Sequence, residues 1–99
     1  MLESIDLYRT IAKVPDYPKP GILFYDISTL LMNTQAWAAT VRRLADKISQ
    51  YKPDIIAGIE SRGFLLASPV AIELTAGVQM IRKQGKLPGE TLSHTYDLE

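Results

Sequence analysis

The sequence predicts an α/β fold with parallel strand pairing and helices flanking the strands. Three observations predict it. Short apolar segments, ILFYDI, DIIAGI and VQMIR, are separated by helical patterns. The middle segment is apolar without alternation, as strands covered on both faces usually are. The resulting order of helix and strand, repeated three times, favours parallel pairing with right-handed crossovers.

Each element follows from local chemistry. Ser4 can cap a first helix whose apolar positions Ile5, Tyr8, Ile11 and Ala12 fall near helical spacing and which ends before Pro15. PDYPKPG, Pro15 to Gly21, is too rich in proline to be helix interior or central strand and reads as a loop. Ile22 to Ile27 is a strand candidate, and Asn33 or Thr34 can cap the helix that follows. In that helix Trp37, Val41, Leu44, Ala45, Ile48 and Tyr51 share an apolar face, read as core, while Arg42, Arg43, Asp46 and Lys47 lie mostly off it. Lys52-Pro53 stops it. Asp54 to Ile59 is the second strand, Gly63 to Leu74 a helix that tolerates Pro69 and ends at Gly77, and Val78 to Arg82 the third strand. The stretch from Gln84 to Glu99 has turn chemistry and weak periodicity, which predicts a long functional loop.

Composition narrows the function. With 99 residues, 46% hydrophobic and 22% charged, the chain is of globular type and has room for one domain and a small core. Eleven basic residues balance eleven acidic ones, so no global field draws it to nucleic acid or anionic lipid, and any anion site must be a local cluster. The absence of Cys and the single His94 exclude disulfides and Cys or His zinc sites. No uncharged run approaches the ~18 residues that span a bilayer, and MLESIDLYRT lacks the apolar core of a signal peptide, so a cytoplasmic protein is expected.

Two charged clusters sit where α/β ligands bind. Glu60-Ser61-Arg62-Gly63 follows a strand at its carboxyl end, where the next helix offers unpaired N–H groups, Gly63 admits a ligand to the backbone, and Arg62 can grip phosphate oxygens. The same residues also fit a plain helix cap by Ser61 with Glu60 and Arg62 solvated, and spacing does not separate the two. Arg82, Lys83 and Lys86 follow the other buried strand and reach the same rim in a parallel sheet. Cations gathered there favour a polyphosphate, although RKxxK alone also fits a solvated loop. His94 reads as surface.

PDYPKPGILFYDI, IIAGIESRGFLLASPVA and IRKQGKLPGETLSHTYDLE, in this order and spacing, resemble the adenine phosphoribosyltransferases of bacteria. The resemblance covers essentially all of this chain and about the first half of that family's domain. It implies the first half of a type I phosphoribosyltransferase fold with an incomplete sheet: a hood and purine-binding segment at about 15–31, a pyrophosphate loop at about 58–64 and a flexible catalytic loop at about 84–99. It implies the transfer of a 5-phosphoribosyl group from phosphoribosyl pyrophosphate to adenine, giving AMP and pyrophosphate, in a homodimer, with Mg2+ bound through the substrate and no metal site on the protein.

The implied roles attach to residues here. Backbone groups of Leu23 and Tyr25 meet the purine edge and Phe24 stacks on its face. Glu60, Ser61, Arg62 and Gly63 hold the pyrophosphate, often with a non-proline cis peptide at Glu60-Ser61, aided by Arg82, Lys83 and Lys86, in part across the dimer interface. Arg62 and Glu99 are the catalytic candidates, Glu99 acting on the purine base. Two departures stand out. Tyr25 occupies a usually basic position, which leaves backbone contacts and removes any side-chain role, and Leu66-Ala67 replaces Phe-Gly. The motif that grips ribose 5-phosphate is expected beyond Glu99, so the 99 residues alone are expected to be inactive. A purine or phosphoribosyl-pyrophosphate sensor, and a transferase for another base, are the competing readings; GKLPGET with YDLE favours adenine.

Overall fold

A computed structural model describes residues 5–96. The chain divides into two units, one up to Lys52 and one from Pro53 onward.

The first unit opens with a one-turn helix, α1 (Leu7–Thr10), capped by Asp6, whose Oδ1 accepts the Tyr8 N–H at 3.1 Å. The expected cap, Ser4, lies outside the described residues. The helix does not run on to Pro15. Ile11 is extended, and Ala12–Pro15 forms strand β1, antiparallel to β2 (Leu23–Asp26), with Lys13 opposite Tyr25 and Val14 opposite Phe24. Ile11 and Val14 are β-branched, and a single helical turn is a poor nucleus, so pairing with a strand across the proline loop outweighs helix extension. The strand anticipated at 22–27 therefore belongs to an antiparallel hairpin and, among the described residues, has no parallel partner. The loop between the strands is clipped at its neck: Asp16 Oδ1 accepts the Gly21 N–H at 2.8 Å, and the Tyr17 N–H donates to Ile22 O at 3.1 Å.

A helix absent from the sequence reading, α2 (Ser28–Met32), follows directly. Asp26 Oδ1 takes its first N–H, from Ser28, at 2.9 Å, and the Ser28 hydroxyl, and after it this N–H, hold the Asp26 carboxyl below its usual range. Thr29 fastens α2 to the hairpin, its Oγ1 accepting the Ala12 N–H at 3.0 Å and donating to Thr10 O at 2.7 Å. Next comes α3 (Thr34–Ser49), capped by Asn33, whose Oδ1 accepts the Ala36 N–H at 3.0 Å. The deepest positions of α3 are Ala36, Ala39 and Ala45, with Leu30 of α2 beside them in the core. Small residues let two helices approach closely. Trp37, Val41, Leu44 and Ile48 are half-buried, whereas Tyr51 lies past the helix end and is 76% exposed, so it leaves the predicted stripe. Arg43 also departs from its expected solvent face, donating from Nη2 to Ile5 O at 2.6 Å.

The second unit is a strand–helix–strand motif: β3 (Ile55–Ile59), α4 (Arg62–Leu74) and β4 (Gly77–Ile81). The two strands pair in parallel with Ile55 opposite Gly77 and Ile59 opposite Ile81, as predicted. Alternation turns Ile56 and Gly58 toward α4, whose Ala67, Val70 and Ala71 are buried. Coverage on both faces is not found: Ile55 and Ile59 are 60% and 55% exposed. The helix passes through Pro69, which has no N–H for the Leu65 carbonyl. It ends at Thr75, in the left-handed region at φ 55°, with the Ala76 N–H closing on Ala71 O at 2.8 Å. Gly77, expected to end the helix, instead begins β4 and donates to Asp54 O at 2.9 Å. The strand expected over Val78 to Arg82 runs from Gly77 to Ile81, and from Gln84 to Tyr96 the described chain has no helix or strand, as its composition predicts.

Candidate functional site

The loop Glu60-Ser61 joins the carboxyl end of β3 to the start of α4, and Arg82-Lys83 leaves the carboxyl end of its parallel neighbour β4. Parallel pairing thus brings the two charged clusters of this unit to one rim. The peptide bond between Glu60 and Ser61 is cis.

Hydrogen bonds tie the two segments. The Glu60 N–H donates to Ile81 O at 2.9 Å. Its carboxylate Oε1 accepts the Lys83 N–H at 2.7 Å and lies 3.4 Å from Arg82 Nε. The Lys83 N–H, and after it the Arg82 guanidinium, hold the Glu60 carboxyl below its usual range, opposed by partial desolvation. From the far side Arg82 Nη1 donates to Lys86 O at 3.4 Å, and the Lys86 N–H closes a turn on Lys83 O at 3.1 Å. Gly85 makes that turn possible at φ 84°, where a side chain would be strained. A cleft of about 50 Å³ opens beside this turn, lined by residues that include Arg82, Lys83, Leu87 and Thr91.

The helix-cap reading of Ser61 fails on geometry. Ser61 has helical ψ (φ −112°, ψ −24°) and its side chain makes no capping bond. The Phe64 N–H closes on Ser61 O at 3.1 Å, while the two N–H groups before it, of Arg62 and Gly63, precede the first intrahelical bond and give the helix start its partial positive charge. Arg62 is exposed at that start. Glu60 is not solvated either; its side chain is 18% exposed and that of Arg82 31%.

Gly58 opens the loop expected at about 58–64, and the sequence assigns it no role of its own. A Cβ there would stand 2.7 Å from Gly63 O and 2.8 Å from Ala67 Cβ, so its absence lets the helix start rest directly on β3. Gly63 turns its own bare side the same way, with the nearest atom to a Cβ being Gly58 C at 3.4 Å. The spacing of Gly58, Gly63 and Ala67, small residues across a strand–loop–helix junction, was the available signal.

Leu23, Phe24 and Tyr25 lie in the other unit, consecutive on β2. Phe24 is half-buried and meets Tyr17 edge-on, centroids 5.1 Å apart and planes at 65°. Opposite Leu23 stands Pro15, which has no N–H to donate to the Leu23 carbonyl. The Tyr25 phenol is engaged by Tyr8, whose hydrogen bond raises its pKa, and Lys13 Nζ sits 3.9 Å from the Tyr8 ring centroid. The Tyr25 side chain stays 46% exposed. Glu99 lies outside the described residues. Among those described, no three His, Cys, Asp or Glu side chains form a metal-binding group, and no helix is long and apolar enough to cross a membrane.

The site is thus a strand–loop–helix junction backed by a basic turn that leaves the neighbouring parallel strand. The chain belongs to the phosphoribosyl transferase domain family, whose model matches residues 28–98. Within that family it is similar to adenine phosphoribosyltransferases. That of Rhodospirillum centenum is 58% identical over 96% of this chain and 56% of its own length, and that of Gluconacetobacter diazotrophicus 57% over 97% and 54%. The chain spans just over half the length of these curated relatives. Among solved structures, adenine phosphoribosyltransferase from Thermoanaerobacter pseudethanolicus aligns with a TM-score of 0.84 at 42% identity, covering 91% of this chain and 54% of that one. The Giardia lamblia enzyme complexed with 9-deazaadenine gives 0.86 at 37%, covering 95% and 52%. The α/β fold with a small parallel sheet and flanking helices is that of the type I phosphoribosyltransferases.

Proposed function

We propose that a chain of the relatives' length carrying these residues transfers the 5-phosphoribosyl group from phosphoribosyl pyrophosphate to adenine, in purine salvage. The observation that carries this reading is the joining of the Glu60–Gly63 loop to the Arg82–Lys86 turn beside an uncapped helix start. Breaking the bond between the anomeric carbon and pyrophosphate leaves positive charge on the sugar, and the electron pair departs with the pyrophosphate. Arg62, Arg82, Lys83, Lys86 and the Arg62 and Gly63 N–H groups at the start of α4 are the donors that stabilise that developing charge. Mg2+ would neutralise part of it, carried on the substrate's phosphate oxygens, a mode of binding that requires no carboxylate cage from the protein.

Adenine is the base favoured by the relatives, and the Giardia lamblia structure holds a deazaadenine. In this reading Phe24 stacks on the ring and backbone groups of Leu23 and Tyr25 meet its edge. As the ring nitrogen attacks the anomeric carbon, its proton passes to Glu99 in the loop that closes over the base, which also excludes water. The active assembly is a homodimer.

The test is AMP formation from adenine and phosphoribosyl pyrophosphate, measured for the 99-residue chain and for one extended to the relatives' length. Turnover is expected in the extended chain alone. An extended chain that ignores adenine overturns the proposed substrate, and robust turnover by the 99 residues overturns the need for the remainder.

A further inference from the structure

A carboxylate inside an anion site calls for an account. On charge alone, Glu60 repels a pyrophosphate bound to its own loop, and its removal should tighten binding. The geometry gives it different work. One oxygen, Glu60 Oε1, takes the Lys83 N–H at 2.7 Å and faces Arg82 Nε at 3.4 Å. Arg82 in turn reaches the Lys86 carbonyl, and the Lys86 N–H returns to Lys83 O. The Arg82 guanidinium and the backbone of Lys83 are therefore held by a single carboxylate, and the backbone of Lys86 is tied to it through Arg82 and Lys83.

We propose that Glu60 is a positioning residue for pyrophosphate, acting through the Arg82–Lys86 turn rather than by touching the ligand. The inference rests on the proposed pyrophosphate site and names what holds its basic half in place. The turn backbone and the Arg82 guanidinium would otherwise sample many conformers and lose that freedom on binding. Glu60 fixes the backbone of Lys83 and one edge of the Arg82 guanidinium in advance, leaving the Lys83 and Lys86 ammonium groups unclaimed by that carboxylate.

This assignment predicts a sign opposite to simple electrostatics. In the chain extended to the relatives' length, magnesium pyrophosphate binding by calorimetry should weaken roughly tenfold or more in Glu60→Ala, as expected for loss of charge-assisted hydrogen bonds. Glu60→Gln keeps the shape and an acceptor for the Lys83 N–H but loses the charge facing Arg82, so it should fall between Ala and wild type. KM for phosphoribosyl pyrophosphate should rise in parallel while KM for adenine stays within about twofold, a split that general destabilisation would not produce. Equal or tighter pyrophosphate binding in Glu60→Gln overturns the proposal, whether or not Glu60→Ala folds. Because binding is read without adenine, an enzyme that uses another base would refute the proposed reaction and leave this test intact.

Discussion

Replacing Gly58 by Ala inserts a methyl group where β3 supports the start of α4. The new carbon would lie 2.7 Å from Gly63 O, 2.8 Å from Ala67 Cβ and 3.0 Å from Gly63 C. Carbon atoms pack at about 3.5–4.0 Å, so the contact with Ala67 alone asks for a displacement of roughly 1 Å. None of these three atoms is the end of a flexible side chain, so relief must come from moving the helix or the loop. Overpacking of this kind costs about 1–3 kcal/mol, offset by about 0.5–1 kcal/mol from removing a glycine from a strand, for a net loss of roughly 1–2 kcal/mol. The assay is the urea midpoint at unchanged m-value in the chain extended to the relatives' length, followed by KM for phosphoribosyl pyrophosphate. Gly63→Ala is the comparison: its Cβ would meet nothing closer than 3.4 Å, so it should be nearly neutral in stability. A Gly58→Ala protein as stable as wild type, with unchanged KM, would refute the reasoning that close backbone approach sets the loop.

Other outcomes follow from the same geometry. Arg62→Ala and Glu99→Gln in the extended chain should each lower turnover by orders of magnitude with the unfolding midpoint nearly unchanged; near-normal turnover removes that residue from the mechanism. Asn33→Ala strips the cap that receives the Ala36 N–H and should cost about 1 kcal/mol, read as a lower midpoint without effect on KM. Glu60 has its folded pKa lowered, chiefly by the Lys83 N–H. Its stabilisation is therefore complete above the ordinary glutamate value of about 4.3 and is lost as pH falls through the lower folded value. The stability gap between wild type and Glu60→Gln should then shrink on acidification below that value, and a gap constant with pH would contradict it.

Legibility differed sharply between the units. The β3–α4–β4 motif was readable because an apolar run, a glycine junction and a second apolar run lie within a short stretch whose contacts are nearly local. The hairpin was not. Ile11 to Val14 fits a helix by spacing and a strand by β-branching, and the choice falls to β2, across a proline loop that no local pattern connects. Of the buried alanines of α3, Ala45 lies on the predicted face, while Ala36 and Ala39 do not, for a related reason: a stripe of large apolar residues marks a face, but only the neighbouring helix decides which residues come closest.

By itself the sequence determined the residue types of the candidate site, the strand ends that carry them, and, by resemblance, the family. These are properties of composition, local periodicity and motif order. Only the tertiary structure decided what each charge does. Glu60 and Arg82 are far apart in sequence, and parallel pairing of β3 with β4 puts them 3.4 Å apart. Ser61 looks like a cap until its side chain is found to make no capping bond, and Gly58 looks like an ordinary strand residue until Gly63 and Ala67 close over it. Hydrogen bonding and steric exclusion act over a few ångströms, so roles that depend on them emerge only when distant segments have been brought together.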